Sequence, residues 1–236
     1  MMLVALLCGC ASQKQSDPSG SEWIVIQGGI GEGPITASAL VPLESATAVY
    51  DNPDAPNEPI VLITEPTNRF GAAWSRRDGD RRTEFLRDDE RGNIVMTAAI
   101  DHADRAISLF DPPLIIAYAT LAPGERREQQ VRIRVVDEGN PQKQKETGRA
   151  TQTIEHAGDA MIRTRAGEAR ASQIVIRFHA DLRMADADTT TTLFIDADRG
   201  VIGRRREEKV VILGVPSRSS RETLQLRSVE DERSGD

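Results

Sequence analysis

The stretch Gln130-Val131-Arg132-Ile133-Arg134-Val135-Val136-Asp137 alternates apolar and charged side chains. Val131, Ile133 and Val135 fall on one side, Arg132 and Arg134 on the other. A period of two belongs to an extended strand with one dry face and one wet one, because successive side chains of a strand point to opposite faces. Ser172–His179, SQIVIRFH, repeats the pattern, with Ile174, Ile176 and Phe178 inward and Gln173, Arg177 and His179 outward. These two segments make the chain a β protein and state which side chains are buried.

Working outward, the same logic finds strands at 23–27, 35–43, 46–50, 60–64, 70–76, 82–86, 93–100, 190–195, 201–206 and 209–213. Asp78-Gly79-Asp80 reads as a hairpin turn between two of them, and residues 51–59, rich in Pro, Asn and Asp, read as a loop. No long segment sustains a helical period. The expectation is a mainly β, antiparallel fold, a β-sandwich or an unclosed half-barrel of around ten or more strands. Its concave face needs covering. A second sheet layer, residues 23–76 packed over residues 84–215, is favoured over a groove able to accept an acyl chain, because joining two apolar faces needs no partner. Residues 23–216 are expected to form a single domain, and the charge-dense residues 217–236 a disordered tail.

The chain opens with MMLVALLCGC and then Ala11-Ser12-Gln13. The apolar run is too short to span a membrane as a helix, which takes roughly 20 residues. A small residue, Gly9, stands immediately before Cys10, as a signal-cleaving peptidase requires. Leu7-Cys8-Gly9-Cys10 resembles the lipobox of bacterial lipoproteins. That resemblance implies a cleaved signal over residues 1–9, a diacylglyceryl group on the Cys10 thiol, an acyl chain such as palmitate on the new amine, and a tether over residues 10–22. It also implies a cell-envelope location, with Ala11 rather than Asp after the cysteine pointing to the outer membrane, facing the periplasm. Cys8 and Cys10 are the only cysteines, so a matured chain would hold no thiol nucleophile, thiolate metal site or disulfide.

A looser likeness covers residues 84–215. Phe110-Asp111-Pro112-Pro113-Leu114, Leu121-Ala122-Pro123-Gly124-Glu125, Arg165-Ala166-Gly167-Glu168 and the run from Ile195 to Val201 through Gly200 resemble segments of an uncharacterised exported β-rich family of bacteria. Its members are similar in fold to the lipoprotein-localisation factors. The resemblance implies a curved, unclosed antiparallel sheet with a concave apolar face, and it carries over no functional residue.

Composition narrows function further. A net charge of −7 argues against nucleic acid as a partner, and 4% aromatic residues leave few platforms for stacking sugars or bases. Gly28-Gly29-Ile30-Gly31-Glu32-Gly33 is glycine-rich, but Pro34 and the alternation after it deny it the helix N-terminus that a phosphate loop needs, so it reads as a turn. Asp101-His102-Ala103-Asp104 and His179-Ala180-Asp181 place carboxylates beside imidazoles at chelating spacing. The outward position of His179 and the polar turn around His102 favour surface histidines. The remaining histidine is His156. Asp186-Ala187-Asp188 and Asp196-Ala197-Asp198-Arg199-Gly200 lack the further ligands of a calcium loop, and the second, with strands on both sides, reads as a connecting turn. Arg204-Arg205-Arg206, followed by Glu207-Glu208, reads as a solvated strand edge guarded by charge. No Gly-x-Ser-x-Gly nucleophile motif is present.

The expected function is therefore a non-enzymatic, lipid-anchored envelope protein serving as a structural or interaction module. It needs no cofactor and no metal, and its partners are the membrane, through the lipid, and an envelope protein or apolar ligand. The alternative is a binding module for an acyl chain or other apolar ligand. An envelope hydrolase using His102 or His179 ranks third.

Overall fold

The computed structural model of the 236-residue chain describes residues 25–29, 33–53, 55, 58–164 and 167–231. Cys10, the signal and tether segments, Trp23, the Ile30-Gly31-Glu32 part of the glycine-rich run, Arg165-Ala166 and residues 232–236 lie outside the described residues. Strands β1 (Val25–Gly29) and β2 (Ile35–Thr36) precede a four-residue helix, α1 (Ala37–Leu40). The Thr36 hydroxyl caps that helix by accepting from the Ala39 amide at 3.3 Å. Then follow β3 (Ala46–Asp51), β4 (Ile60–Pro66), β5 (Trp74–Asp78), β6 (Arg82–Asp88), β7 (Ile94–Asp101), β8 (Ala106–Ala117), β9 (Thr120–Leu121) and β10 (Arg126–Asp137). The longest strands come last: β11 (Gln144–Thr164), β12 (Gly167–Leu182), β13 (Ala185–Asp196), β14 (Gly200–Ile212) and β15 (Val215–Asp231).

From β3 to β8 and from β10 to β15 consecutive strands pair antiparallel, β8 pairs with β10, and β15 returns to pair with β3, Gln225 opposite Asp51 through Asp231 opposite Ala46. The result is a closed, up-and-down barrel of 12 strands. This corrects the expected sandwich or unclosed half-barrel. Among the described residues there is no second layer either. β3, β4 and β5, from the segment expected to pack over the rest, are hydrogen-bonded into the same ring. Closure removes the unpaired edges that an open sheet would present.

The strand that closes the ring comes from the residues expected to be a disordered tail. Ser217 to Asp231 lie in β15, where Thr223, Leu224 and Gln225 are buried and Arg227 pairs with Asp51 across the seam. The domain therefore does not end at residue 216.

The face assignments of the two deciding segments hold. Val131, Ile133 and Ile174 are buried, Val135, Ile176 and Phe178 are half-buried against the same core, and Arg132, Arg134, Arg177 and His179 are exposed. Strand β7 reads apolar almost throughout, because it is covered on both sides. Met96 and Ala99 join the barrel interior, while Ala98 and Ile100 join an outer cluster with Phe85, Ile107 and Val136. The turn at Arg69–Gly71 caps that cluster by laying Phe70 edge-on to Phe85, ring centres 4.7 Å apart.

Among the described residues no helix is long and apolar enough to cross a membrane. The outer wall of the barrel carries charge at mid-strand. Mid-strand arginines on the outside, such as Arg132, Arg134 and Arg177, would each cost about 2–4 kcal/mol at the middle of a bilayer.

Candidate functional site: the barrel lumen

An eight-stranded barrel is just filled by its own side chains, so 12 strands leave room inside. One end is stoppered. β2 pairs with β9, Ile35 opposite Leu121, the Ala37 amide donates to the Ala119 carbonyl at 3.2 Å, and α1 thereby sets Leu40 and Val41, 4% and 3% exposed, across the opening. Towards the other end, marked by the β5–β6, β7–β8, β12–β13 and β14–β15 turns, a cavity of about 290 Å³ remains. Leu40, Val41, Phe110, Leu114 and Leu224 line it and are buried, whereas Ile60, Leu62, Ile176, Phe178 and Leu193 line it and stay partly open to solvent. Water therefore reaches apolar side chains inside the barrel, from the end away from α1.

The lumen has two unlike walls. Plug, β8, β12 and β13 give an apolar one. The other, from β5, β6 and β14, presents Arg76, Arg82, Glu84, Arg204, Arg206 and Glu208 to the same space. Alternation explains it: on β14, Arg204, Arg206 and Glu208 share the inward parity, and opposite them on β13 stand Leu193, Thr191 and Thr189. The triple arginine is thus not a solvated edge. β14 is an interior strand of the ring and two of the three guanidiniums point inward.

These charges are organised in three groups. Arg204 donates to Asp78 at 2.8 Å and to Glu222 at 2.9 Å, and Arg81 binds the same two carboxylates from the β5–β6 turn. Burial works against the Arg204 charge, but Asp78 and Glu222 outweigh it and raise its pKa. In the second group Glu84 receives Arg76 at 2.7 Å and Arg82 at 3.2 Å. Burial alone would raise the Glu84 carboxyl, yet the two guanidiniums hold it down at about 2. In the third, Arg206 donates to Glu208 at 2.8 Å, with Arg218 at 3.6 Å from the same carboxylate. Arg206 goes the opposite way from Arg204: burial, and after it the like charge of Arg82, pull its pKa down.

Several other polar side chains inside the barrel bond to the backbone. The Tyr50 hydroxyl donates to the Val201 carbonyl at 3.1 Å. Past Pro112 and Pro113, which bring no amide hydrogens, Gln129 replaces the missing strand pairing, its Oε1 accepting from the Ile115 amide at 3.0 Å, and Gln152 donates to the Ile115 carbonyl at 2.9 Å.

The three histidines lie apart. His102 contacts the Thr83 hydroxyl at 2.9 Å and Glu138 at 3.4 Å near the open end. His179, on the outer surface, bonds Asp188 of the neighbouring strand at 2.8 Å. Both find a carboxylate, but across strands rather than at the sequence neighbours Asp104 and Asp181. His156 is fully buried with Nδ1 3.3 Å from the Leu121 carbonyl, which can only accept, so Nδ1 carries a proton. The three histidines do not converge in one cleft, and among the described residues no group of three or more His, Cys, Asp or Glu could hold a metal. Asp196 caps its own turn, accepting from the Asp198 and Arg199 amides at 3.1 Å.

No protein-family model matches this chain, and neither does any curated protein. Among solved structures, the crystal structure of the hypothetical lipoprotein YmcC from Escherichia coli (K12) aligns over 82% of this chain and 89% of its own, at 11% identity and a TM-score of 0.38. Overlap at that level carries no argument about function.

Proposed function

We propose that this is a lipid-anchored envelope protein whose barrel takes a single apolar chain into its lumen. One observation carries the reading: inside a closed barrel with a stoppered end, Ile176, Phe178 and Leu193 face an unfilled cavity of about 290 Å³ and remain in contact with water. Apolar surface in water costs about 25 cal/mol per Å², and a ligand that covers it recovers that free energy. The volume sits at the small end of ligand pockets, roughly 300–1,000 Å³, which suits one chain better than a diacyl lipid. The purely structural module is the weaker reading, since a scaffold gains nothing from an open apolar lumen.

Titration with a fluorescent fatty acid tests the binding half. Saturable binding, displaced by unlabelled fatty acid and lost in Ile176→Asp that still melts cooperatively, is the expected result. A linear, non-displaceable signal would refute it. The anchor half rests on the lipobox. Cys10→Ser should leave the protein unprocessed and release it from the membrane fraction, and a mutant that stays membrane-bound after a salt wash would refute the lipid anchor.

A further inference from the structure

We propose that the ligand of this lumen carries an anionic head, seated between Arg82 of β6 and Arg206 of β14, with its single chain running towards the α1 stopper. The inference rests on the reading that the lumen takes an apolar chain, and adds the chemistry of the other end.

Arg82 and Arg206 line the same cavity from two different strands of the charged wall. The Arg204 cluster is closed, two guanidiniums against the two carboxylates of Asp78 and Glu222. The arginines around Glu84 and Glu208 are not matched in this way. Arg76 and Arg82 share Glu84, and Arg206 and Arg218 share Glu208, so four guanidiniums meet two carboxylates. Asp101 also borders the cavity, opposite Arg82 in the β6–β7 ladder. One of its oxygens accepts from the Asp104 amide at 3.0 Å, and it forms no ion pair among the described residues. Burial first, and after it the like charge of Arg82, weaken the hold of Arg206 on its proton despite Glu208 at 2.8 Å.

Two guanidiniums turned towards one partly dry space form a fork for a carboxylate or phosphate, whose charge-assisted hydrogen bonds are the strong kind. Thr189 and Thr191, facing the same cavity from β13, add hydroxyl donors. The apolar wall fixes the direction. Phe178, Ile176 and Leu193 lead from beside this fork towards Leu40 and Val41, so a head at the fork places the chain along apolar side chains.

Calorimetric titration of the whole protein with four amphiphiles of one chain length, below their micelle concentrations, tests this. The probes are dodecanoate, dodecyl phosphate, dodecanol and dodecyltrimethylammonium. At least one anion should bind about 10-fold or more tightly than dodecanol, the equivalent of one charge-assisted contact. Added salt should erode that margin, and the cation should bind weakest. In Arg82→Gln and Arg206→Gln the ratio of anion to alcohol affinity should fall towards one, while Arg82→Lys, which keeps the charge, should retain part of it. The better of carboxylate and phosphate identifies the head. Dodecanol or the cation binding as tightly as both anions would overturn the head-group assignment and leave the lumen reading standing. Failure of all four to bind would overturn the lumen reading itself. The wild-type comparison decides the matter even if a variant does not fold.

Discussion

Glu84 shows how one side chain holds the charged wall together. It is the shared counter-ion of Arg76 and Arg82, and its side chain is 21% exposed. Its folded pKa of about 2 lies below the ordinary 4.5, so its ionised form stabilises the fold by about 3 kcal/mol. A depressed carboxyl contributes fully above its unfolded value and loses the contribution as pH falls through the folded one. Urea unfolding should therefore show stability flat with respect to Glu84 above about pH 5 and declining from there to about pH 2. Glu84→Gln should lower stability at pH 7 by about 3 kcal/mol, by leaving two guanidiniums without their carboxylate, and should flatten the acid limb. A variant with the wild-type acid limb would show that Glu84 is not the group responsible. At this scale the sequence was legible only where polarity followed the face rule. Val131 and Arg132 obey it, whereas Arg204 and Arg206 point inward to a lumen that is itself half charged, and no apolar period marks such residues.

Among the strands of the ring, β8, β11 and β15 were absent from the sequence reading. The inward positions of β11 include Gly148, Ala150 and Gln152, small or polar residues that erase the alternation of a half-buried strand. Gly148 is small for a reason: a Cβ there would run into the Asp181 carbonyl oxygen and lie 2.9 Å from the Leu182 Cα. Gly148→Ala should cost about 2–3 kcal/mol by forcing β11 and β12 apart, read as a lower denaturation midpoint; an unchanged midpoint would mean the strands separate freely. β15 looked like a tail because its first half projects past β3, its neighbour on one side. Its pairing with β14 begins at Val215, but its pairing with β3 begins only at Gln225, and residues 215–221 are exposed. Three residues, Thr223 to Gln225, are where it enters the core. A chain ending at residue 216 should fail to give a cooperative melt, whereas one ending at 231 should melt like the full chain. Cooperative folding of the shorter chain would show that β15 is dispensable and the ring closes without it.

At the scale of the molecule, the sequence established an antiparallel β fold and the inner faces of its clearest strands, and closure decided the rest. Whether a meander of this kind ends as an open sheet or a ring depends on whether its last strand meets its first, and that pairing joins residues 225–231 to residues 46–51. Local periodicity carries no information about so distant a match. Closure also creates the lumen: with 12 strands the interior is wider than its side chains fill, α1 stops one end, and the apolar and charged walls face each other across what remains. The most direct test is to locate a ligand there. A crystal grown with a fatty acid brominated at the end of its chain should give anomalous density near Leu40, Phe110 and Leu224, with the carboxylate beside Arg82 and Arg206. Bromine found only on the outer wall, or a lumen empty at saturating ligand, would contradict the account.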